Sequence, residues 1–449
     1  MGSPPDRREP SPQRPLPTRL AGSARLAAGL LVQARFPFRS AEAIRRAQSR
    51  RVRAMIAHAW RTVPFYRDAM RRLGWTPDDF RSADDLARLP VVERSDLQRD
   101  PERFRSGVFA ESELVVLRSG GRTGEPVAVA HDLRAVIANA AHGERDRSVW
   151  AGRLVPRTGY REAVIGLVEG ADATVQRFLR RGLVLPAKAD VERRYFSGVD
   201  PMPSTIDALN AFRPHVVHGY GSMLEFLFSH VASTGTPLAR PAVVTFSSDE
   251  LGDATRTYVE RELGVPVFGT YEAIEAFKIG FECERRSGYH LNVDLYPLRV
   301  DAGGDVIVSN LVNRATVILN YRIGDMATLS PERCPCGRNL PLMARLDGRR
   351  DGVLLRADGT PLLPMAVALI LARTEDVRQF QVHEIERLRL VVRIVAGPRC
   401  DRPAAATHVA AALGRALGPG AEVRVDFVDR IEPTPGGKVQ RIRPYAGGR

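Results

Sequence analysis

The chain has 449 residues, 44% of them hydrophobic and 26% charged. That is more than one core usually holds, so two or more domains are expected, and no apolar run reaches the roughly 18 residues needed to span a membrane. The formal net charge is +14, but residues 1–75 alone hold 16 arginines against 4 acids; with no zinc-finger, helix-turn-helix or RNA-binding signature beside them, they predict a solvated basic face and no specific nucleic-acid partner.

Four cysteines in a chain this long exclude a disulfide scaffold and favour a reduced, cytoplasmic protein. Only three lysines occur, Lys188, Lys278 and Lys438, and every other basic residue is arginine. A lysine that has escaped such a bias suggests a need for a compact ammonium, which a guanidinium cannot copy.

Residues 1–36 are rich in Pro, Arg and Ser and predict a mostly disordered basic arm. Within it, Leu26–Val32 is too short and lacks the cleavage site of a signal peptide, and reads as the start of a surface helix. Ser40 can cap a helix whose apolar positions are Ile44, Val52, Met55, Ile56, Ala59 and Trp60, ended or kinked by Pro64. From 111 to 320, strand-like runs alternate with helical segments such as 221–233 and 251–263. The runs are Leu114–Leu117, Val127–Ala130, Val164–Val168, Val216–Val217, Val243–Phe246, Val265–Phe268, Asp305–Val308 and Thr316–Leu319. The pattern predicts an α/β fold, mixed β-sheets with helices on their faces. A charged, glycine-containing stretch at 344–352 reads as a linker. Beyond it, strand-like 353–356, 387–395 and 422–428 and helical 364–373 and 403–416 predict a small α+β domain. The expected division is therefore 1–36, 37–346 and 347–449. No internal repeat is present.

Five segments carry chemistry. Ser119-Gly120-Gly121-Arg122-Thr123-Gly124-Glu125-Pro126 lies between two strand-like runs. Its glycines allow close backbone approach, its N–H groups can form an anion nest, and Ser119 and Thr123 add hydroxyls. It lacks the Lys-Ser/Thr pair and following helix of the P-loop enzymes, and read alone it is either an ordinary hairpin or a phosphate cradle. The second segment is Tyr271-Glu272-Ala273-Ile274-Glu275, followed by Cys283 and His290. An aromatic ring near a carboxylate suits adenine beside a metal-bound phosphate, and equally suits a strand end before a capped helix. In Asn320-Tyr321-Arg322-Ile323-Gly324-Asp325, an aspartate after a strand and a glycine turn can accept two hydrogen bonds from a ribose diol; a surface turn is the other reading. Cys334-Pro335-Cys336-Gly337-Arg338 with Leu346-Asp347-Gly348-Arg349-Arg350-Asp351-Gly352 is the fourth. Thr434-Pro435-Gly436-Gly437-Lys438, the fifth, puts a rare lysine on a glycine loop.

In this order, over about Arg51 to Arg443, these segments resemble the adenylate-forming ligase superfamily, and more closely its phenylacetate–CoA ligase and capsular-polysaccharide-type branch. Val63-Pro64-Phe65-Tyr66-Arg67, Asp84-Asp85-Leu86-Ala87-Arg88-Leu89-Pro90-Val91, Pro214-His215-Val216-Val217-His218-Gly219-Tyr220 and Ser247-Ser248-Asp249-Glu250-Leu251 are similar to further segments of that branch. The resemblance implies a large nucleotide- and acid-binding domain and a small, mobile C-terminal domain. It implies a ligase that uses ATP and Mg2+ to turn a carboxylic acid into an acyl-AMP and then passes the acyl group to coenzyme A. An amine or a carrier-protein thiol is an alternative acceptor, and a non-catalytic nucleotide-binding homologue a further alternative. Ser119, Gly120, Gly121, Thr123 and Gly124 would hold the β- and γ-phosphates. Tyr271 would stack on adenine, Glu275 help bind magnesium, Asp325 take the ribose hydroxyls and Arg349 contact ribose or phosphate. Asp351 would be the hinge, and Lys438 would bridge carboxylate and α-phosphate before swinging away.

Departures from the family pattern are Gly120 and Arg122 in the phosphate loop, Glu272 and Ile274 in the second segment, and Gly352 after the hinge. Cys283, His290, Cys334 and Cys336 would suit a structural tetrahedral zinc, which the resemblance supports; the alternative is a buried thiol and a reduced surface turn. Cys400 is left over as a core thiol. The identity of the acid and the oligomeric state are not legible.

Overall fold

The computed structural model of the chain describes residues 14–119, 126–166, 170–184, 186, 190–197, 200–372, 374–432 and 439–445. Gly120, Gly121, Thr123 and Gly124 of the glycine-rich segment, and Lys438, lie outside the described residues.

The stretch expected to be a disordered arm is instead folded from Leu16, as helix α1 (Leu16–Gln33). Its cause is tertiary, which composition cannot reveal. Gly22 lets α1 approach a neighbouring helix end so closely that a Cβ there would lie 2.8 Å from the Gly182 carbonyl oxygen. Ser23 donates to the Val184 carbonyl at 2.8 Å, and Gln33 accepts from the buried Arg145 at 2.7 Å. Helix α2 (Ala41–Thr62) starts at Ser40, whose hydroxyl accepts from Ala43 N–H at 3.2 Å. Ile44, Val52, Met55, Ile56 and Ala59 are buried along one stripe. Val63 breaks the helix in extended conformation, and Pro64 opens α3 (Pro64–Arg72), where its missing N–H costs nothing. After α4 (Arg94–Arg99), strands β1 (Leu114–Arg118) and β2 (Ala128–Asp132) pair antiparallel around the glycine-rich segment. Asp132 then caps α5 (Leu133–His142), followed by α6 (Glu144–Trp150).

Among the described residues, eleven strands make one large sheet. Its first part is parallel and built from β3 (Arg161–Gly166), β4 (Glu192–Ser197), β5 (Val216–Tyr220), β6 (Val243–Ser247) and β7 (Val267–Ala273), in the order β4-β3-β5-β6-β7. Helices α7 (Ala171–Gly182), α8 (Met202–Phe212), α9 (Gly221–Thr234) and α10 (Asp253–Thr257) connect these strands, as parallel pairing requires. The second part is antiparallel: β8 (Phe277–Glu282), β9 (Tyr289–Leu291), β10 (Leu298–Val300), β11 (Asp305–Val308), β12 (Tyr321–Ser330) and β13 (Leu342–Arg349) continue from β7 in the order β8-β9-β13-β12-β11-β10. The strand expected at Thr316–Leu319 is not in this ladder. Thr316 makes an isolated bridge to Arg105, and Val317, Ile318 and Leu319 are buried in the core, so the run is apolar for packing alone.

Strand β13 pairs with β12 as far as Arg349, so the division expected between 346 and 347 falls inside a strand of the large sheet. After the short ladder β14 (Leu354–Leu355) and β15 (Pro361–Leu362) come α11 (Pro364–Ala372), β16 (Val377–Glu386), β17 (Arg389–Ala396), α12 (Arg402–Leu417), β18 (Glu422–Phe427) and β19 (Ile442–Arg443). The last four strands form a separate sheet, β18-β17-β16-β19, around its own apolar core of Val382, Leu390, Val392, Ile394, Val409 and Leu413. This small unit meets the large sheet along α9: Arg378 donates to the Ser229 carbonyl at 2.8 Å, and Arg441 pairs with Glu225.

Candidate active site

Strand β7 has a parallel neighbour on one side and an antiparallel one on the other. Open α/β sheets bind ligands outside the carboxyl ends of their parallel strands. Tyr271 sits there on β7, buried, and its hydroxyl donates to Asp325 Oδ2 at 2.8 Å. Asp325 lies on β12 opposite Arg349 of β13 in the ladder, and Arg349 Nη1 donates to its Oδ1 at 3.2 Å. The approach depends on Gly324, which has φ +87° and where a Cβ would stand 2.9 Å from Arg349 Nη2. Arg349 Nε also donates to Asp351 Oδ1 at 3.2 Å. Burial, then the charge of Asp325, push the Tyr271 phenol far above its usual range. Burial opposes the Arg349 charge, and Asp325 and Asp351 more than restore it.

Glu275 follows β7 and is buried. Tyr321 OH donates to its Oε1 at 3.3 Å, and Asn310 Nδ2 holds its backbone carbonyl at 2.9 Å. Burial raises the carboxyl pKa, while a hydrogen bond from its own backbone N–H, then Arg94, the Tyr321 bond and Arg349 act in the opposite sense. Arg94 Nη2 also donates to Ser119 Oγ at 2.9 Å, and the same oxygen accepts from Val127 N–H at 2.9 Å. Ser119 is thereby fixed at the mouth of the glycine-rich segment.

Ser119, Tyr271, Glu275, Asp325 and Arg349 are thus linked through short contacts and shared charges. Two members of the cluster were not singled out from the sequence. Tyr321 stood inside a segment already marked, next to Asp325 by four positions. Arg94 is one arginine among many, with no distinguishing signal. Beyond Lys438, Val439 N–H reaches Ser222 Oγ at 3.5 Å, and that hydroxyl donates to Asp249 Oδ2 at 2.6 Å.

A second cluster lies in the antiparallel half. Cys283 follows β8, His290 is on β9, and Cys334 and Cys336 are on the β12–β13 connection; their ligand atoms lie within 4.8 Å of one another. Cys283 Sγ is 3.6 Å from Cys334 Sγ, and Cys336 Sγ is 3.3 Å from His290 Nε2. Bonds of about 2.3 Å to sulfur and about 2.0 Å to nitrogen at tetrahedral angles give edges of roughly 3.5–3.8 Å, so these two separations are near those of a tetrahedral zinc site. Cys400 stands outside this group.

No family model matches the chain. A phenylacetate–coenzyme A ligase of Thermus thermophilus is 27% identical over 370 residues, covering 76% of this chain and 78% of that protein. One from Aromatoleum evansii is 23% identical over 439 residues, covering 90% and 94%. A 2-hydroxyisobutyryl-CoA ligase solved in the postadenylation state with 2-HIB-AMP superposes with a TM-score of 0.73 at 19% identity, covering 90% of each chain. The chain is therefore a relative of the phenylacetate–coenzyme A ligases, built on the fold of the adenylate-forming ligases.

Proposed function

We propose that the protein is an AMP-forming acid–thiol ligase: it joins a carboxylic acid to AMP at the expense of ATP, releasing pyrophosphate, and then transfers the acyl group to coenzyme A. The observation that carries this reading is the Tyr271–Asp325–Arg349 set at the sheet junction, with Glu275 and Ser119 beside it. Asp325 is the acceptor for the ribose hydroxyls, exchanging its present partners for the sugar. Tyr271 is the adenine platform, and Arg349 reaches ribose or phosphate. Ser119 opens the phosphate loop that Gly120, Gly121, Thr123 and Gly124 complete.

In the first step a carboxylate oxygen attacks the α-phosphorus, the P–O bond to pyrophosphate breaks, and the electron pair leaves with pyrophosphate. Anions are brought together, so cations must offset the charge that builds up. Magnesium, when bound with ATP, neutralises phosphate charge, and Glu275 is the residue that would help hold it. Lys438 supplies an ammonium between the carboxylate and the α-phosphate. In the second step the coenzyme A thiol loses its proton to solvent and its sulfur attacks the acyl carbon; the C–O bond to AMP breaks and the electron pair leaves with AMP. That thiol needs the space the ammonium held, so Lys438 must withdraw with the small unit.

Zinc in the Cys283, His290, Cys334 and Cys336 group has a structural role in this scheme. It would tie the β8–β9 turn to the β12–β13 connection, and the catalytic steps do not call on it.

The test is ATP–pyrophosphate exchange with a panel of acids, followed by addition of coenzyme A with AMP and acyl-CoA read by mass. Acid-dependent exchange and a thioester product are expected. Exchange without thioester would assign a different acceptor, and nucleotide binding without exchange would leave a non-catalytic homologue.

A further inference from the structure

The small unit has its own sheet, yet one of its side chains leaves that sheet and enters the large unit. Arg441 precedes β19, and its backbone carbonyl accepts from Val382 N–H of β16 at 2.7 Å, so its main chain is fixed within the small unit. Its guanidinium lies 5.6 Å from the centre of the Phe380 ring on β16, which braces it. Arg441 Nη2 pairs with Glu225 of α9 and donates to the Glu250 carbonyl at 3.1 Å, and Nη1 is 3.7 Å from Glu250 Oε2. Among the described residues, the ion pairs that join the two units both end on Arg441.

The large unit holds a built seat for this charge. Glu225 is 3% exposed and also accepts from the Gly252 N–H, in the turn that follows β6. Asp249 of the same turn accepts from Ser222 N–H at 3.2 Å and from Ser222 Oγ at 2.6 Å, which ties the turn to the start of α9. Two neutral contacts from the small unit arrive beside it: Val439 N–H reaches Ser222 Oγ, and Gln379 Nε2 donates to the Ser222 carbonyl at 3.4 Å. Arg441 feels the charges of Glu225, Glu250 and Asp249 together. If the small unit docked without that cation, Glu225 would be buried with no counter-ion and two further acids beside it, an arrangement that costs far more than a lost surface pair.

The seat lies at the edge of the sheet that carries the nucleotide cluster. Tyr220, the last residue of β5, stands opposite Ser247 of β6, and Phe246 stands opposite Gly269 of β7, two residues before Tyr271. Ser222 and Asp249 therefore follow the same sheet edge as Tyr271, and the two strand spacings from β5 to β7 amount to about 10 Å. Glu250 lies in the field of Asp325. Lys438 is outside the described residues, but it is bonded directly to Val439, which is held at Ser222. Gly436 and Gly437, before the lysine, have no side chains to anchor it. The anchors come after it, at Val439 and, three positions beyond the lysine, at Arg441.

Resting on the ligase reading above, we infer that Arg441 is a positioning residue for acyl-adenylate formation: its seat against Glu225 and Glu250 docks the small unit so that Lys438 is delivered to the nucleotide edge, and its release accompanies transfer to the thiol. Arg441 acts through the docked arrangement and not on the substrates. Its substitution shifts the balance between two arrangements of one enzyme, and the step that needs the docked one bears the loss.

The test uses the full-length protein with the two half-reactions measured apart: ATP–pyrophosphate exchange with an acid that the wild type accepts, and transfer to coenzyme A from the corresponding supplied acyl-AMP. Arg441→Met keeps bulk and removes the charge. Its exchange kcat should fall about tenfold or more with KM for ATP and for the acid within about threefold, while transfer stays within about twofold of wild type or rises. Arg441→Lys, which returns a cation to Glu225, should exchange at least about threefold faster than Arg441→Met. Glu225→Gln should lower exchange and spare transfer in the same way. Combined with Arg441→Met it should cost less than about twofold more, because both remove one contact. If Arg441→Met fails to fold, Glu225→Gln, on the opposite side of the contact, carries the comparison. Exchange within about twofold of wild type in Arg441→Met, or equal loss of both steps, would overturn this inference and leave the ligase reading intact. Wild-type exchange with none of a panel of acids would overturn the ligase reading, and this inference with it.

Discussion

Two buried or nearly buried carboxylates are handled in opposite ways. Asp325 sits in the large sheet and takes its partners, Tyr271 and Arg349, from strands of the same sheet. Glu225 sits on α9, and its partner Arg441 comes from the small unit, just before β19. Backbone ladders fix the first set whether or not a ligand is present. The second pairing lasts only while the small unit rests against α9. The difference separates a candidate binding cluster from a positional contact: the strands hold one in place while its hydrogen-bond partners can change, and the other records where the small unit is. In the proposed cycle the sugar acceptor stays in place while the C-terminal ammonium comes and goes, which is the division these two carboxylates embody.

The largest expected effect breaks the movable side. Lys438→Ala should lower acid-dependent pyrophosphate exchange by about 1,000-fold or more, the scale of losing a principal charge-stabilising donor. Transfer to coenzyme A from a supplied acyl-AMP should stay within a few-fold of the parent. Equal loss of both steps would mean that the lysine is not confined to the first conformation. Next in size is the fixed side. Asp325→Ala removes the sugar acceptor and leaves Arg349 and Tyr271 without their common partner, so exchange should fall about 100-fold or more, with KM for ATP raised. An unchanged KM for ATP would remove Asp325 from the nucleotide site.

Much of the fixed side could be anticipated from the sequence because its residues travel in segments with distinctive composition. A glycine that must adopt φ +87° stands just before the acid it positions, and a tyrosine and a glutamate flank one strand end. The parallel strands were legible because they are short apolar runs bounded by turn residues, as at Val243–Ser247. What could not be read came from contacts across long separations. Helix α1 looks like a polar arm until Gly22 is set against Gly182. The run Thr316–Leu319 is apolar like a strand but buries itself without a ladder. Arg94 and Arg441 carry no local mark in a chain where nearly every cation is arginine.

A smaller effect sharpens the claim that the large sheet is the constant partner. The antiparallel half brings Cys283, His290, Cys334 and Cys336 together. Purified protein should contain about one equivalent of zinc by elemental analysis. Cys336→Ser should release it and lower the melting temperature by several degrees, since metal binding adds to folding free energy. Remaining folded protein should keep its KM for ATP. Metal-free wild-type protein with an unchanged melting curve would identify the group as reduced thiols.

The smallest effect concerns Glu225 itself. Burial raises its carboxyl from an ordinary 4.5 to about 7, while Arg441 and the Gly252 N–H act to lower it. A carboxylate whose folded pKa is raised contributes stability below about 4.5 and loses it as pH climbs through about 7. Wild-type stability should therefore fall, relative to Glu225→Gln, across that window, by about 1.4 kcal/mol for each unit of separation between the two pKa values. Chemical denaturation at a series of pH values measures the difference directly. Arg441→Met keeps bulk at the contact and removes the charge that restrains Glu225, so its window should extend to higher pH. If the window stays where it was, Arg441 does not rest on Glu225 in solution, and the small unit spends its time away from α9.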